Sequence, residues 1–272
     1  LIESDSLVSL GLALVLAVAV PTAPRPRGPA VESTTSSVEQ QRILEMPFPS
    51  EGRVVFNAHA AELHLEGWDR EELRVEATKR VAGHDPSLDA LAGDILERIV
   101  VRLEREGNRA ELLVDYPPHC RQLRCSVTLQ AYAPHRLAVS ARYDDASLSV
   151  SGVHGGIEIE NDSGDVSLRD VSGRIGVRTR GGNVNASPRV PTHISIVTGE
   201  GDIRVTLPRS GSAAPALLVR APPGRVRSEA PLFSEREAYE AALRGERLHG
   251  GGWPRVELRS AAGSVVVELA RD

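Results

Sequence analysis

Apolar residues return every nine positions through the middle of this chain: Val139, Leu148, Ile157, Val166, Ile175 and Val184, with Ile194 and Ile203 following after steps of ten and nine. Two residues beyond each lies a second apolar side chain: Ala141, Val150, Ile159, Leu168, Val177, Ala186, Ile196 and Val205. An alternation of period two places both on one face of a strand. Gly164, Gly173, Gly182 and Gly201 stand two residues before the first apolar position, where a sharp turn needs a backbone that glycine adopts cheaply. Nine is odd, so an uninterrupted strand would reverse its buried face at each repeat. Each unit, Gly-x-Val/Ile-x-Val/Leu, must therefore be one strand plus one corner. Such units bury their apolar faces only by stacking, which predicts an all-β fold built as a single-stranded β-solenoid. Two units per coil would flatten it and three would make it triangular. An antiparallel β-sandwich is the alternative, since its strands also recur at about 8 to 12 residues.

The frame returns near the end of the chain, where Leu217 and Val226 accompany Gly224, and Val256 and Val265 accompany Gly263. Between them Ser234 and Glu237 form a capping box, and Gly245 supplies a stop, predicting a short helix near 235–244. Ahead of the repeat, alternating patterns predict strands at 53–56, 62–65, 72–77, 100–103, 111–116 and 126–131. They are interrupted where Leu88, Leu91, Ile95, Leu96 and Ile99 recur at helical spacing behind Ser87, predicting a helix near 87–97.

Residues 7–20 are uncharged and apolar, which suits a signal-peptide core and falls short of the roughly 18 to 20 residues that span a bilayer. Glu3 and Asp5 precede this run where Lys or Arg is usual, which fits a signal peptide poorly, and an uncleaved anchor, helped by the further residues Pro21 to Ala23, is the competing reading. The expected organisation is a signal peptide or anchor at 1–23, a Pro/Ser/Thr/Arg-rich linker at 24–47, and a folded body at 48–272. Within that body, N-terminal strands and a helix occupy 48–135, and the repeat stack with its helical insertion occupies 136–272. The body would then lie outside the cytoplasm: periplasmic, on the cell surface or extracellular. Cys120 and Cys125 are the only cysteines, and in an exported protein such a pair predicts a local disulfide. Free thiols are the alternative, and a metal would need more ligands than adjacent His119 provides.

Composition removes some partners. A net charge of −5 with both signs interspersed leaves no basic stripe for a phosphate backbone, and aromatics at 3% leave little to stack on bases, so nucleic acid is not expected. Lys79 is the only lysine, which carries no functional weight. There is no nucleophile elbow, phosphate loop, zinc helix or dinucleotide fingerprint. Asp144, Asp145, Glu158, Glu160, Asp162, Asp165, Asp170, Glu200 and Asp202 lie in or beside the repeat. Stacking could align two of them at glycosidase separation, but turns are built from the same residues, and Tyr143 is the one aromatic of the repeat that could face a sugar. His154 and His193 sit near corners, and Gly181-Gly182-Asn183 and Gly199-Glu200-Gly201-Asp202 are only fragments of a calcium-binding repeat. No cofactor or metal is expected. Glu158, Glu160, Arg169 and Arg178, pointing outward from the strands, form the candidate binding surface.

Glu66-Gly67-Trp68-Asp69 followed by Glu72-Leu73-Arg74-Val75, the repeats SGDVSL, SGRIGV, GGNVNA and GEGDIRV, and a final GSVVVEL strand together resemble the bacterial putative-adhesin domain family over 48–272. The resemblance implies a β-solenoid, an envelope or extracellular location, and a structural, adhesive or envelope-stress role, with no catalytic residues to carry over. The expected function is an exported, non-enzymatic scaffold that binds an envelope component, a surface polymer or a protein, touching membrane only through an uncleaved N-terminal segment. A carbohydrate-active β-helix enzyme and an envelope-stress sensing partner are the alternatives.

Overall fold

Apolar alternation and corner glycines give nineteen strands and one α-helix among the described residues of the computed structural model: 36–58, 60–84, 86, 89–121, 124–190, 193–209, 216–230 and 255–270. The strands before the repeat are β1 (Ser36–Pro47), β2 (Arg53–Ala58), β3 (Ala61–Trp68), β4 (Glu72–His84), β5 (Val100–Glu106), β6 (Arg109–Asp115) and β7 (Arg124–Pro134), with α1 (Asp89–Arg98) between β4 and β5. The repeat supplies β8 (Ala138–Asp145), β9 (Leu148–Ser151), β10 (Ile157–Ser163), β11 (Val166–Val171), β12 (Ile175–Thr179), β13 (Val184–Pro188), β14 (Ile194–Thr198) and β15 (Ile203–Leu207). The last four are β16 (Ala216–Arg220), β17 (Val226–Ser228), β18 (Arg255–Ser260) and β19 (Val265–Leu269).

These strands form two large open sheets. Sheet I runs β1-β4-β7-β3-β9-β11-β13-β15-β19-β17, and sheet II runs β16-β18-β14-β12-β10-β8-β2-β6-β5. From β8 to β15 successive strands alternate between the sheets, so each strand pairs in parallel with the next but one: Ile157 with Ile175, Val166 with Val184, Ile175 with Ile194, Val184 with Ile203. The nine-residue unit is thus half of an approximately 18-residue rung, one strand in each sheet. The interior positions predicted from Val139 to Val205 are buried, with Val139, Leu148, Ile157, Val166, Ile175, Val184, Ile194 and Ile203 at most 3% exposed, and both sheets contribute to one core. The layout is sandwich-like, while among the described residues pairing is antiparallel only at β1·β4, β4·β7 and β5·β6.

One corner, leading from sheet II into sheet I, carries a small polar side chain at the same position on several rungs. Asn161, Thr179, Thr198 and Ser260 are neighbours along sheet II, and all are buried. Each sits three residues before a glycine and satisfies corner backbone: Asn161 Nδ2 donates to the Gly164 carbonyl (3.0 Å), Thr179 to the Gly181 carbonyl, Thr198 Oγ1 accepts from the Gly201 amide (3.0 Å), and Ser260 Oγ accepts from the Gly263 amide (2.8 Å). The next residue after each glycine continues the pattern outside. Asp165 Oδ1 accepts from the Asn183 amide (2.8 Å), Asn183 Oδ1 from the Asp202 amide (3.0 Å), and Asp202 Oδ1 from the Ser264 amide (2.6 Å). The glycines themselves are packed so closely that a Cβ on Gly182 would strike the Gly164 carbonyl, one on Gly201 that of Gly182, and one on Gly263 that of Gly201.

The structure corrects several expectations. Positive φ holds at Gly164, Gly173, Gly182 and Gly224, but Gly201 and Gly263 lie outside the left-handed region, and their glycine is required by close approach of rungs alone. Ser36–Pro47, placed in the linker by its polar composition, is a strand paired along its length with β4; its exposed side chains hid a backbone pairing that needs no apolar face. Helix α1 begins at Asp89 and buries Ala92, Ile95 and Leu96, whereas Leu91 is exposed. Val226 keeps the nine-residue frame and pairs with Val265, yet is exposed because β17 is the outermost strand of its sheet. The predicted helix near 235–244 and the segment 1–23 lie outside the described residues. Among the described residues no helix is long and apolar enough to cross a membrane.

Two polar features lock the start of the stack. Lys79 is buried, its Nζ donating to Gln40 Oε1 of β1 (3.1 Å) and to the Leu96 carbonyl in the last turn of α1 (3.2 Å). This ties helix and edge strand to sheet I, and desolvation, with Arg42 adding repulsion, holds the amine below the usual lysine value. Cys120 and Cys125 are joined in a disulfide with Cα atoms 5.3 Å apart, closing the short connection into β7.

Candidate functional site

Inward positions are consumed by the core, so chemistry is left to the outward columns of the two sheets. On sheet II the parallel register aligns Val55, Ser140, Glu158, Gly176, Ser195 and Glu257 in one outward column and Asn57, Arg142, Glu160, Arg178, Val197 and Arg259 in the next. Ser140, Gly176 and Ser195 are short, so the column sinks on either side of Glu158. The result is a groove of about 480 Å³ bordered by Arg53, Glu158, Arg174 and Arg178, with Gly155 and Gly156 at one end. A second depression of about 250 Å³ shares Arg53, Ser140, Glu158 and Glu160 with it and continues toward Arg109.

The charges here are of two kinds. Arg142 Nε holds Glu160 Oε2 at 3.1 Å, Arg180 holds Asp162 at 3.3 Å, and Asn57 Nδ2 donates to Glu111 Oε1 at 2.5 Å. Arg53, Arg174, Arg178 and Glu158 are exposed, and none of their side chains has an ion-pair or hydrogen-bond partner among the described residues. They offer three forked donor groups and one carboxylate to an external ligand, the chemistry of polar and acidic polymer recognition.

Of the four residues read as a binding surface, Glu158, Glu160 and Arg178 therefore share one face, with Glu160 and Arg178 in register. Arg169 does not join them. It lies on β11 in sheet I, beside Ser151 and Ser187, because consecutive units go to opposite sheets. Arg53 and Arg174 could have been found only by knowing which strands adjoin: Arg53 lies on β2, more than a hundred residues from Glu158 in sequence.

Other candidates take different places. Tyr143 does not face a sugar; it is buried at the inner corner position beside Asn161, its hydroxyl without a partner among the described residues, and burial pushes that hydroxyl above the usual tyrosine range. The ring of His154 stacks on His135 with centroids 5.4 Å apart, and His135 Nε2 lies 3.4 Å from Asp69. Asp165 and Asp202 are occupied as corner acceptors. Among the described residues no three His, Cys, Asp or Glu side chains are grouped to hold a metal ion. Trp68 stacks on Tyr132 at 5.3 Å, with the Arg70 guanidinium 4.9 Å from its ring centre, so its ring is engaged within the fold.

No family model and no curated protein matches this chain. Solved structures similar to it include a "putative cell adhesion protein" from Clostridium sporogenes, at 12% identity and a TM-score of 0.44 over 86% of this chain and 99% of that one. A "putative adhesin" from Bacteroides fragilis is 10% identical, with a TM-score of 0.34 over 85% and 97% of the two chains. A "putative lipid binding protein" from Parabacteroides distasonis is 11% identical, with a TM-score of 0.25 over 84% and 96%.

Proposed function

We propose that this chain is an exported, non-enzymatic binding scaffold of the cell envelope or surface, a two-sided β-solenoid of the adhesin-like family whose outer sheet II face is the contact surface. The observation that carries it is the groove beside Glu158, where Arg53, Arg174 and Arg178 stand exposed and unpaired over a fully packed core. Rigid strands place these groups in a fixed pattern, which lowers the ordering cost of binding an extended polar ligand. Export is supported by the Cys120–Cys125 disulfide, which persists in oxidising compartments, and by the apolar run at 7–20. Solenoid architecture is supported by the parallel register of rungs about 18 residues apart.

The test is capture of envelope material by the purified protein, compared with an Arg53→Glu, Arg174→Glu, Arg178→Glu triple variant of unchanged thermal stability. Binding should fall at least tenfold and weaken with salt. Equal binding by the two proteins would remove this face from consideration.

A further inference from the structure

In the middle of the stack the rungs follow chain order, joined by connections of two to five residues between β9 and β15. At the far end they do not. The strands β16 and β17 are outermost, and β18 and β19, which come later in the chain, lie between them and the rung formed by β14 and β15. The late rung is paired on both edges: β18 with β14 and β16, β19 with β15 and β17, all in parallel. Its inward side chains Val256, Leu258, Val265 and Val267 are completely buried. Among the described residues β16 has no strand neighbour except β18, and β17 none except β19, so the outermost rung is paired with the body only through the late one.

We propose that the rung formed by β18 and β19 is exchanged between two copies of this chain, each filling the slot of the other in a reciprocal dimer. What the slot recognises is backbone pairing on two edges and four apolar side chains, and these are the same whichever copy supplies them. Leaving the slot empty would expose the edges of β14, β15, β16 and β17 together, so the competitor of intramolecular filling is filling by another copy. The connection permits it. From Ser228 to Arg255 there are 26 intervening residues, against the two to five used between β9 and β15. Extended, they reach roughly 85 Å, whereas moving inward by one rung needs only about 5 Å. A 26-residue connection gives the attached rung an effective concentration on the order of millimolar, so filling by its own chain prevails when chains fold dilute and exchange competes as their concentration approaches that value. This inference is independent of the binding face on sheet II.

The register supplies a direct test. Ser195 on β14 and Glu257 on β18 are neighbours on the outward face of sheet II. The full-length double variant Ser195→Cys/Glu257→Cys, folded when dilute, should form an intramolecular disulfide and establishes that the geometry permits the bond. The two single variants, unfolded, mixed and refolded together at rising concentration, should give a dimer by light scattering and a covalent Ser195→Cys to Glu257→Cys heterodimer on non-reducing gels. A Ser167→Cys chain, altered on the outer face of sheet I, should give none with either partner. Monomer at every concentration, or a dimer without the specific cross-link, overturns the proposal.

Discussion

Alanine substitutions at three glycines separate the two reasons a corner can require that residue. Gly224 has φ +78° and open space around its Cβ position, so alanine there pays only for the left-handed conformation, about 1 to 2 kcal/mol. Gly201 is the opposite case: its φ lies outside the left-handed region, but a Cβ would overlap the Gly182 carbonyl. That carbonyl cannot retreat freely, since the rungs are held at a fixed spacing of roughly 4.8 Å. Relief requires disturbing the bonds from the Gly201 amide to Thr198, from Ser260 to the Gly201 carbonyl and from the Asp202 amide to Asn183. At about 1 kcal/mol each, these sum to roughly 3 kcal/mol. Gly182 combines both penalties, with φ +96° and a Cβ against the Gly164 carbonyl, and alanine there should cost about 4 to 5 kcal/mol. Urea unfolding followed by circular dichroism should therefore rank the losses Gly182→Ala, then Gly201→Ala, then Gly224→Ala, with unchanged m-values. If Gly224→Ala costs as much as Gly201→Ala, rung-to-rung contact is not what selects glycine at this corner.

Tyr143→Phe removes a buried hydroxyl that has no partner among the described residues, and should leave stability equal or higher by up to about 2 kcal/mol; a loss above 1 kcal/mol would mean that the hydroxyl is hydrogen-bonded after all. Desolvation raises Tyr116 to about 12 and Tyr143 further, so their contribution is intact below pH 10 and is lost as pH rises above it, up to about 12 for Tyr116. Alkaline titration of the melting temperature should show this decline, at about 1.4 kcal/mol per pH unit for fully buried Tyr143, and Tyr143→Phe should shallow it. Replacing both Cys120 and Cys125 by serine opens a loop with a sequence separation of 5 and should cost about 2 kcal/mol by chain entropy, read as a lower urea midpoint. Lys79→Ala abandons the Leu96 carbonyl and Gln40, and should cost about 1 to 3 kcal/mol while raising amide exchange in α1. Lys79→Met, which keeps the packed stem and buries no charge, should recover part of that loss.

Much of the fold was legible because it is written in apolar side chains. Ile157, Ile159, Val166 and Leu168 announce their strands by period and their corners by the glycine ahead of them, and the buried positions follow. The pairing of rungs was less visible, since a nine-residue period averages two unlike corners. Asn161, Thr179, Thr198 and Ser260 recur once per rung, three residues before a corner glycine, and that doubled period was the available signal for two strands per rung. The strand β1 and the groove beside Glu158 were out of reach for another reason. The edge strand β1 is held by backbone bonds indifferent to its polar side chains, and the groove unites Arg53 with Arg174 through contacts between strands far apart in sequence.

The division of labour between the two kinds of position has a consequence for how such a scaffold can work. Register is enforced from within, by paired aliphatic columns, and at one corner by amide and hydroxyl side chains that bond the turn backbone while the following Asp or Asn reaches to the adjacent rung. None of these devices uses the outward columns of either sheet. Glu158 and Arg178 on sheet II, and Ser167, Arg169 and Asn185 on sheet I, can therefore be exchanged at little cost to folding, typically within about 0.5 kcal/mol for surface sites. A ligand-binding pattern placed there can change without disturbing the stack, whereas a change at Gly201 or Thr198 reaches both adjoining rungs.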